Sequence, residues 1–206
     1  MVSRSATFAS AWLGANSQSM NDRLTRLGSL AVTAPLQAVG WVDATMANRL
    51  TWMPVRGMSE DRLLILGEEY WATWLEDALL DVGRTLIKRA RSEGRRVVLI
   101  SDHLRCMIDP LQEAVGADEL LANTMSFRDG KATGRLVDPV MARFGGRALE
   151  DYADKQGIDL TRSVAYGSTR ADATLLAGVG EACVVNPSVG LARVADELGW
   201  PVLEET

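Results

Sequence analysis

Histidine is almost absent from these 206 residues, His103 being the only one. A site that needs two imidazoles, as metal ligands or as a proton relay, cannot be built from this chain alone. Cysteine is nearly as scarce. Cys106 and Cys183 show no CxxC or Cys/His spacing, which argues against structural zinc, and two thiols make no disulfide framework. A reducing, cytoplasmic setting is expected. Positive charge is in deficit, with 22 Lys and Arg against 27 Asp and Glu and a formal charge of -5. No overall positive field exists to gather polyanions, so nucleic acid is not an expected partner. Long apolar runs are missing too. The uncharged stretch Leu27 to Val42 is interrupted by Pro35 and two glycines and falls short of the roughly 18 to 20 apolar residues of a bilayer span. It is expected to be buried helix and turn. Met1 to Ala11 has one Arg and no apolar h-region, so no secretory signal is expected.

What remains is ordinary globular composition, 47% hydrophobic and 24% charged, enough for a sizeable core. The texture changes near Glu93 to Arg96. Before it, apolar residues recur at helical spacing: Leu63, Leu64 and Leu66, then Tyr70, Trp71, Trp74 and Leu75, then Leu79, Val82, Leu86 and Ile87. Ser59, followed by Glu60 and Asp61, supplies an N-cap with first-turn acids. This Trp and Leu stripe is expected to be helix core. After Arg95, short strand-like runs (Val97–Ser101, Leu120–Phe127, Lys131–Val137, Val164–Tyr166, Ala182–Val185) alternate with helical ones (Leu104–Val115, Arg147–Gln156, Ala171–Ala177, Leu191–Leu198). Alternation of that kind predicts an α/β fold, a parallel sheet covered by helices. Asp129-Gly130 between two strand-like runs predicts a hairpin.

In such a sheet ligands sit at the carboxyl ends of strands. Three places qualify. Ser101-Asp102-His103, followed by Arg105, places a hydroxyl, a carboxylate, the sole imidazole and a cation where a buried strand meets the next helix. Gly167-Ser168-Thr169 leads from a strand into a helix start, with Asp172 one turn in. Asn186 ends a third strand before Pro187.

Together these segments resemble the haloacid dehalogenase superfamily, in the branch that contains phosphoserine phosphatase (subfamily IB). The resemblance runs from Arg56 to Leu203. It is carried by Arg56-Gly57-Met58-Ser59 opening a long helix, the strand Gly94 to Ser101, and the flap-like Asn123 to Leu136 with Asp129-Gly130 and Thr133-Gly134-Arg135. Ala165-Tyr166-Gly167-Ser168, Val185-Asn186-Pro187 and Gly199-Trp200-Pro201-Val202-Leu203 complete it. It implies a Rossmann-like core, 89–206, with an all-helical cap, 12–88, and residues 1–11 as a remnant of the first core strand; Ala6 to Ser10 would then lie between the strands ending at Ser101 and Tyr166.

The resemblance also implies phosphoryl transfer. Family members attack phosphorus with the first aspartate of a DxDxT motif, whose second aspartate is acid and base. A lysine balances the phosphate charge, and paired acids of a GDSxxD motif hold magnesium. Such chemistry needs a carboxylate nucleophile and cations to offset the gathering negative charge. This chain departs from the pattern. It has no DxD anywhere; the best positional match, Phe8-Ala9-Ser10-Ala11-Trp12, puts alanine at both aspartate positions. The lysine position falls near Gly145, with Arg147 the nearest cation. Ser168 stands where the first magnesium acid belongs, while Asp172 keeps the second and is the one candidate metal ligand. Ser101 matches the phosphate-gripping hydroxyl.

Three functions follow. The first is a family member that has lost aspartyl-phosphate hydrolysis and binds a small molecule, a protein or a second copy of itself through Ser101, Arg105, Gly167, Ser168, Thr169, Asp172 and Asn186, with no cofactor. The second is a repurposed, non-phosphoryl enzyme of a small-molecule pathway with Asp102 and His103 as acid and base, where a Cys106 thiol at a helix start could have a lowered pKa. The third is an active magnesium-dependent phosphomonoesterase with an unusual or upstream nucleophile. Each residue also has a plain structural role: Ser168 and Thr169 as helix caps, Asp172 as a first-turn acid, Cys106 as packing against the sheet.

Overall fold

The computed structural model describes residues 5–16, 46, 50–140, 144 and 147–204. The stretch Leu27 to Val42 and position 145 lie outside them. The chain forms two compact units, Met1–Val140 and Met141–Thr206. Compactness thus parts it at 140/141 rather than at 88/89. The reason is a shared core: Leu63, Leu66, Tyr70 and Ile87 from the helical half are buried in one cluster with Leu99, Leu104, Met107 and Leu120.

The first unit opens with helix α1, Ala6–Ala15, where Ser5 accepts a hydrogen bond from the Phe8 amide as N-cap and Ala6, Ala9, Ser10 and Leu13 are buried. This corrects the expected first-strand remnant at residues 1–11: over Ala6 to Ser10 the backbone is helical. A capped start and small residues on the inner face suit a helix that packs closely, and Ser10 Oγ donates to the Thr51 carbonyl.

A short 3-10 turn, Met53–Val55, leads to α2, Glu60–Tyr70, whose amide of Arg62 donates to Ser59 Oγ and whose first turn carries Glu60 and Asp61. The buried stripe is Leu63, Leu66, Gly67 and Tyr70. The helix then widens into a π turn, Trp71–Leu75, closed by the Glu76 amide donating to the Trp71 carbonyl at 3.1 Å. Helix α3 is Asp81–Ser92.

Strand β1, Val98–Leu104, pairs in parallel with β2, Glu119–Asn123, and α4, Arg105–Val115, crosses between them. The expected single run Leu120–Phe127 breaks at Thr124 into β2 and β3, Met125–Arg128, which pairs antiparallel with β4, Lys131–Leu136. Asp129 (φ 52) and Gly130 (φ 69) make the expected tight turn. The hairpin is tied to the start of α2, since Gly57 donates to Ala132 at 2.7 Å and Ala132 to Met58 at 2.8 Å.

In the second unit, α5, Arg147–Gln156, precedes a parallel sheet of β5, Val164–Gly167, β6, Glu181–Val185, and β7, Val202–Leu203, in that order. Between β5 and β6 run a 3-10 turn, Arg170–Asp172, and the short helix α6, Ala173–Ala177; α7, Val189–Leu198, follows β6. Leu176, Val184, Leu191 and Ala195 form its core. The expected α/β class with parallel sheets and helices is what is found. Among the described residues β1 pairs only with β2, and β5 only with β6. No helix of the described residues is long and apolar enough to cross a membrane.

Candidate functional site

The end of β1 departs from the sequence reading. Asp102 and His103 lie within the strand, not at the helix start. The register runs from Ser101 opposite Ala122 directly to Leu104 opposite Asn123, so Asp102 and His103 are an insertion without ladder partners. Bulges of this kind re-aim side chains. Here Asp102 is turned out, its side chain 49% exposed, and His103 is turned in, 3% exposed.

The Asp102 carbonyl, released from the ladder, needs other donors. It receives two: Trp52 Nε1 at 3.2 Å and Asn123 Nδ2 at 2.6 Å. Asn123 is fully buried, and its Oδ1 accepts from the Val140 amide at 2.9 Å. Trp52 and Asn123 are the residues that sequence reasoning missed. Asn123 had a weak signal, an amide side chain ending an apolar strand. Trp52 had none, because its partner lies fifty residues away.

Ser101 Oγ accepts from the His103 amide at 3.2 Å and lies 3.3 Å from His103 Nδ1, while Asp102 Oδ1 is 3.6 Å from that same nitrogen. The hydroxyl, carboxylate and imidazole named from the sequence are thus brought together. Arg105 is not part of the group. Its guanidinium donates to Asp109 at 3.1 Å and to the Leu120 carbonyl, which fastens α4 to β2. Cys106 is no lowered-pKa nucleophile: burial, with the Asp109 charge beside it, pushes the thiol up to about 12. A surface hollow lined by Arg91, Asp109, Gln112, Glu113, Gly116 and Ala117 includes none of the candidate residues.

In the second unit Gly167, Ser168, Thr169 and Asp172 form one local motif. Asp172 Oδ2 accepts from the Ser168 amide at 2.9 Å, the Thr169 amide at 2.8 Å and Thr169 Oγ1 at 3.1 Å. Gly167 is required there, since a Cβ on it would stand 2.7 Å from the Asp172 Cβ. Ser168 accepts at its carbonyl from the Ser188 amide, 2.8 Å. Asn186, the residue directly after β6, lies in the left-handed region at φ 43.

Magnesium, which the resemblance implies, can be tested against these groups. The one acid left at the expected place, Asp172, already accepts three hydrogen bonds on a single oxygen. Among the described residues no group of three or more His, Cys, Asp and Glu is arranged to hold a metal ion. Magnesium keeps several waters and is held by one or two carboxylates. Among the described residues Asp172 is the one acid at the expected place, so the pair of acids that the resemblance implies is not assembled there.

Comparison with known proteins decides the family. The sequence profile of the haloacid dehalogenase-like hydrolases matches residues 8–177. The chain belongs to that family. Phosphoserine phosphatase SerB1 of Mycobacterium tuberculosis is 29% identical over 180 residues, 85% of this chain and 58% of its own length. A probable phosphatase of the same organism is 36% identical over 110 residues, 53% and 38% of the two chains. The inhibition of morphological differentiation protein of Streptomyces azureus is 31% identical over 131 residues, 63% and 47%. The chain spans about half the length of these curated relatives. Among solved structures, a protein of unknown function from Bordetella pertussis Tohama I superposes with a TM-score of 0.81 at 20% identity, covering 98% of this chain and 92% of that one. A substrate-bound phosphoserine phosphatase gives 0.65 at 18%, covering 92% and 87%. At such identities the likeness is one of fold.

Proposed function

We propose that this phosphatase-like member of the haloacid dehalogenase-like family does not hydrolyse phosphate esters through an aspartyl phosphate, and acts in the cytoplasm by binding a small molecule or a protein. The observation that carries the reading is the state of Asp172, the one acid left at the expected metal position, whose Oδ2 accepts three hydrogen bonds from its own turn. The absence of DxD from all 206 residues supports it, because the family chemistry needs a carboxylate nucleophile close to that cation.

The names of the relatives favour the opposite outcome, a working phosphatase, and one assay separates the two. The purified chain is offered a panel of phosphate esters, phosphoserine included, with millimolar magnesium, and free phosphate is measured. The expected result is release at the rate of the blank, with no magnesium binding by calorimetry. Magnesium-dependent turnover that disappears in Asp172→Asn would refute the proposal. A second reading, acid and base work by Asp102 and His103, is favoured by their gathering with Ser101 on one bulge. It requires that a substrate reach the buried ring, and turnover unchanged in His103→Ala would remove it.

A further inference from the structure

We infer that this chain associates with a second copy of itself, the acidic outer face of α2 on one copy docking against the basic outer face of the β3–β4 hairpin on the other. The inference goes beyond the reading above and holds whether or not phosphate esters are hydrolysed.

Along α2 and the π turn after it, acids sit at exposed positions in adjacent pairs: Glu60 and Asp61, Glu68 and Glu69, Glu76 and Asp77. A regular helix drifts by about 40° every four residues, and the wider π turn at Trp71–Leu75 works against that drift, so the third pair still faces out. Between the first two pairs stand Leu64 and Ile65, each 49% exposed. Arg62, the one cation in 60–77, is turned aside, donating to the Asn16 carbonyl at 3.4 Å. Among the described residues none of the six carboxylates forms an ion pair. They outweigh the formal charge of -5 on the whole chain, so this one face holds all of its negative excess.

The hairpin carries the opposite sign. Arg128 and Lys131 are exposed and directly opposite each other across β3 and β4, a like-charge pair that costs stability unless an acid meets it. Arg135, also exposed, follows on β4. Among the described residues none of these three cations is ion-paired, not even with Asp129 in the turn between the first two.

Spacing matches the two faces. Successive acid pairs are eight residues apart, about 12 Å of helix. Lys131 and Arg135 are four strand residues apart, at most about 13 Å, a run that the left-handed Gly134 shortens. Half an interval beyond Glu68 and Glu69 come Leu64 and Ile65; half an interval beyond Arg135 comes Val137, 66% exposed. Each copy carries both faces on one body, since Ser59 bridges to Lys131 and the Glu60 amide donates to the Gly130 carbonyl at 3.2 Å. Complementary faces that stay unpaired within one molecule can pair between two. The helical face is about 27 Å long and 10 Å wide, roughly 300 Å², well below the about 800 Å² per partner of a stable complex. The association is therefore transient.

Sedimentation velocity over about 10–500 µM protein tests it. In about 0.1 M salt, where charges are screened over about 10 Å, the weight-average mass should rise above that of the monomer, and in about 0.5 M salt it should return. Glu68→Lys/Glu69→Lys and Arg128→Glu/Lys131→Glu should each weaken self-association at least about tenfold with unchanged circular dichroism. An equimolar mixture of the two should associate again, because reversed and unreversed faces then complement each other. Leu64→Ser should weaken association without changing its salt dependence. Should either reversal fail to fold, Glu68→Gln/Glu69→Gln and Arg128→Gln/Lys131→Gln should show the loss without the rescue. A monomer at every concentration, which would leave these faces to another protein, overturns the inference. So does association indifferent to salt, undiminished in either variant, or absent from the mixture of folded reversals.

Discussion

Gly67 is a position where one added methyl group should do clear damage. It lies in the middle of α2, where alanine would by propensity alone favour the helix by about 1 kcal/mol. The structure predicts the reverse. A Cβ there would stand well inside contact distance of the Cys106 carbonyl oxygen and 2.9 Å from its carbon. The obstacle is backbone at the start of α4, which cannot swing aside. Relief to an ordinary carbon–carbon distance of about 3.5 Å means moving the two helices apart by roughly 0.5–1 Å, enough to forfeit a quarter to a half of the dispersion energy at each affected contact. Over-packing of this severity belongs at the upper end of the usual range, about 3 kcal/mol. Subtracting the propensity gain leaves a loss of about 2 kcal/mol. With a urea dependence of about 2 kcal/mol per molar, the midpoint should fall by about 1 M. Gly94→Ala is the control. Its φ of 70° disfavours alanine, but no atom lies within 4 Å of the added carbon, so only the left-handed penalty of about 1 kcal/mol applies and the midpoint should fall half as far. A midpoint for Gly67→Ala equal to that of the unaltered protein, or above it, would refute the reasoning. It would also undo the close α2–α4 approach that holds Tyr70 in the core.

Two other outcomes follow from the same contacts. Asn123→Ala leaves the Val140 amide without its acceptor and takes one of two donors from the Asp102 carbonyl, and should destabilise by about 2–4 kcal/mol in urea unfolding; a loss under about 0.5 kcal/mol would show that water replaces the amide without penalty. Cys106 should be inert: with the thiol pushed up to about 12, alkylation at pH 8 should be slow in the native protein and fast in urea. The sign for stability follows, because the unfolded thiol ionises first, near its ordinary value of 9.0. Stability is unaffected below that pH and declines as pH rises from there toward 12, and a Cys106→Ser protein should lack this component of the decline.

Much of the architecture was legible in the sequence because it is local. Helical spacing of Leu63, Leu66 and Tyr70, the Ser59 cap, the Asp129-Gly130 turn and the βα alternation after Arg95 each follow from the residues that carry them, and each is found. Ala6 to Ser10 misled because the assignment came from a motif alignment, whereas Ser5 and the small residues around it favour a capped helix. The run Leu120–Phe127 looked like one strand because periodicity does not report where a chain changes partners.

The candidate site was legible as a set of residue types and not as a geometry. The sequence alone settled that these 206 residues hold one imidazole, two thiols and no DxD, and those counts bound what this stretch of chain can itself supply whatever the fold. Only tertiary structure decided what each group does: that the bulge turns His103 inward and Asp102 outward, that Trp52 and Asn123 hold the carbonyl between them, that Arg105 and Asp172 are engaged in their own surroundings. The physical reason is one of range. Propensity, capping and turn chemistry act over a few neighbouring residues, while burial and the pairing of a polar group depend on segments dozens of positions away, whose arrival no local pattern encodes.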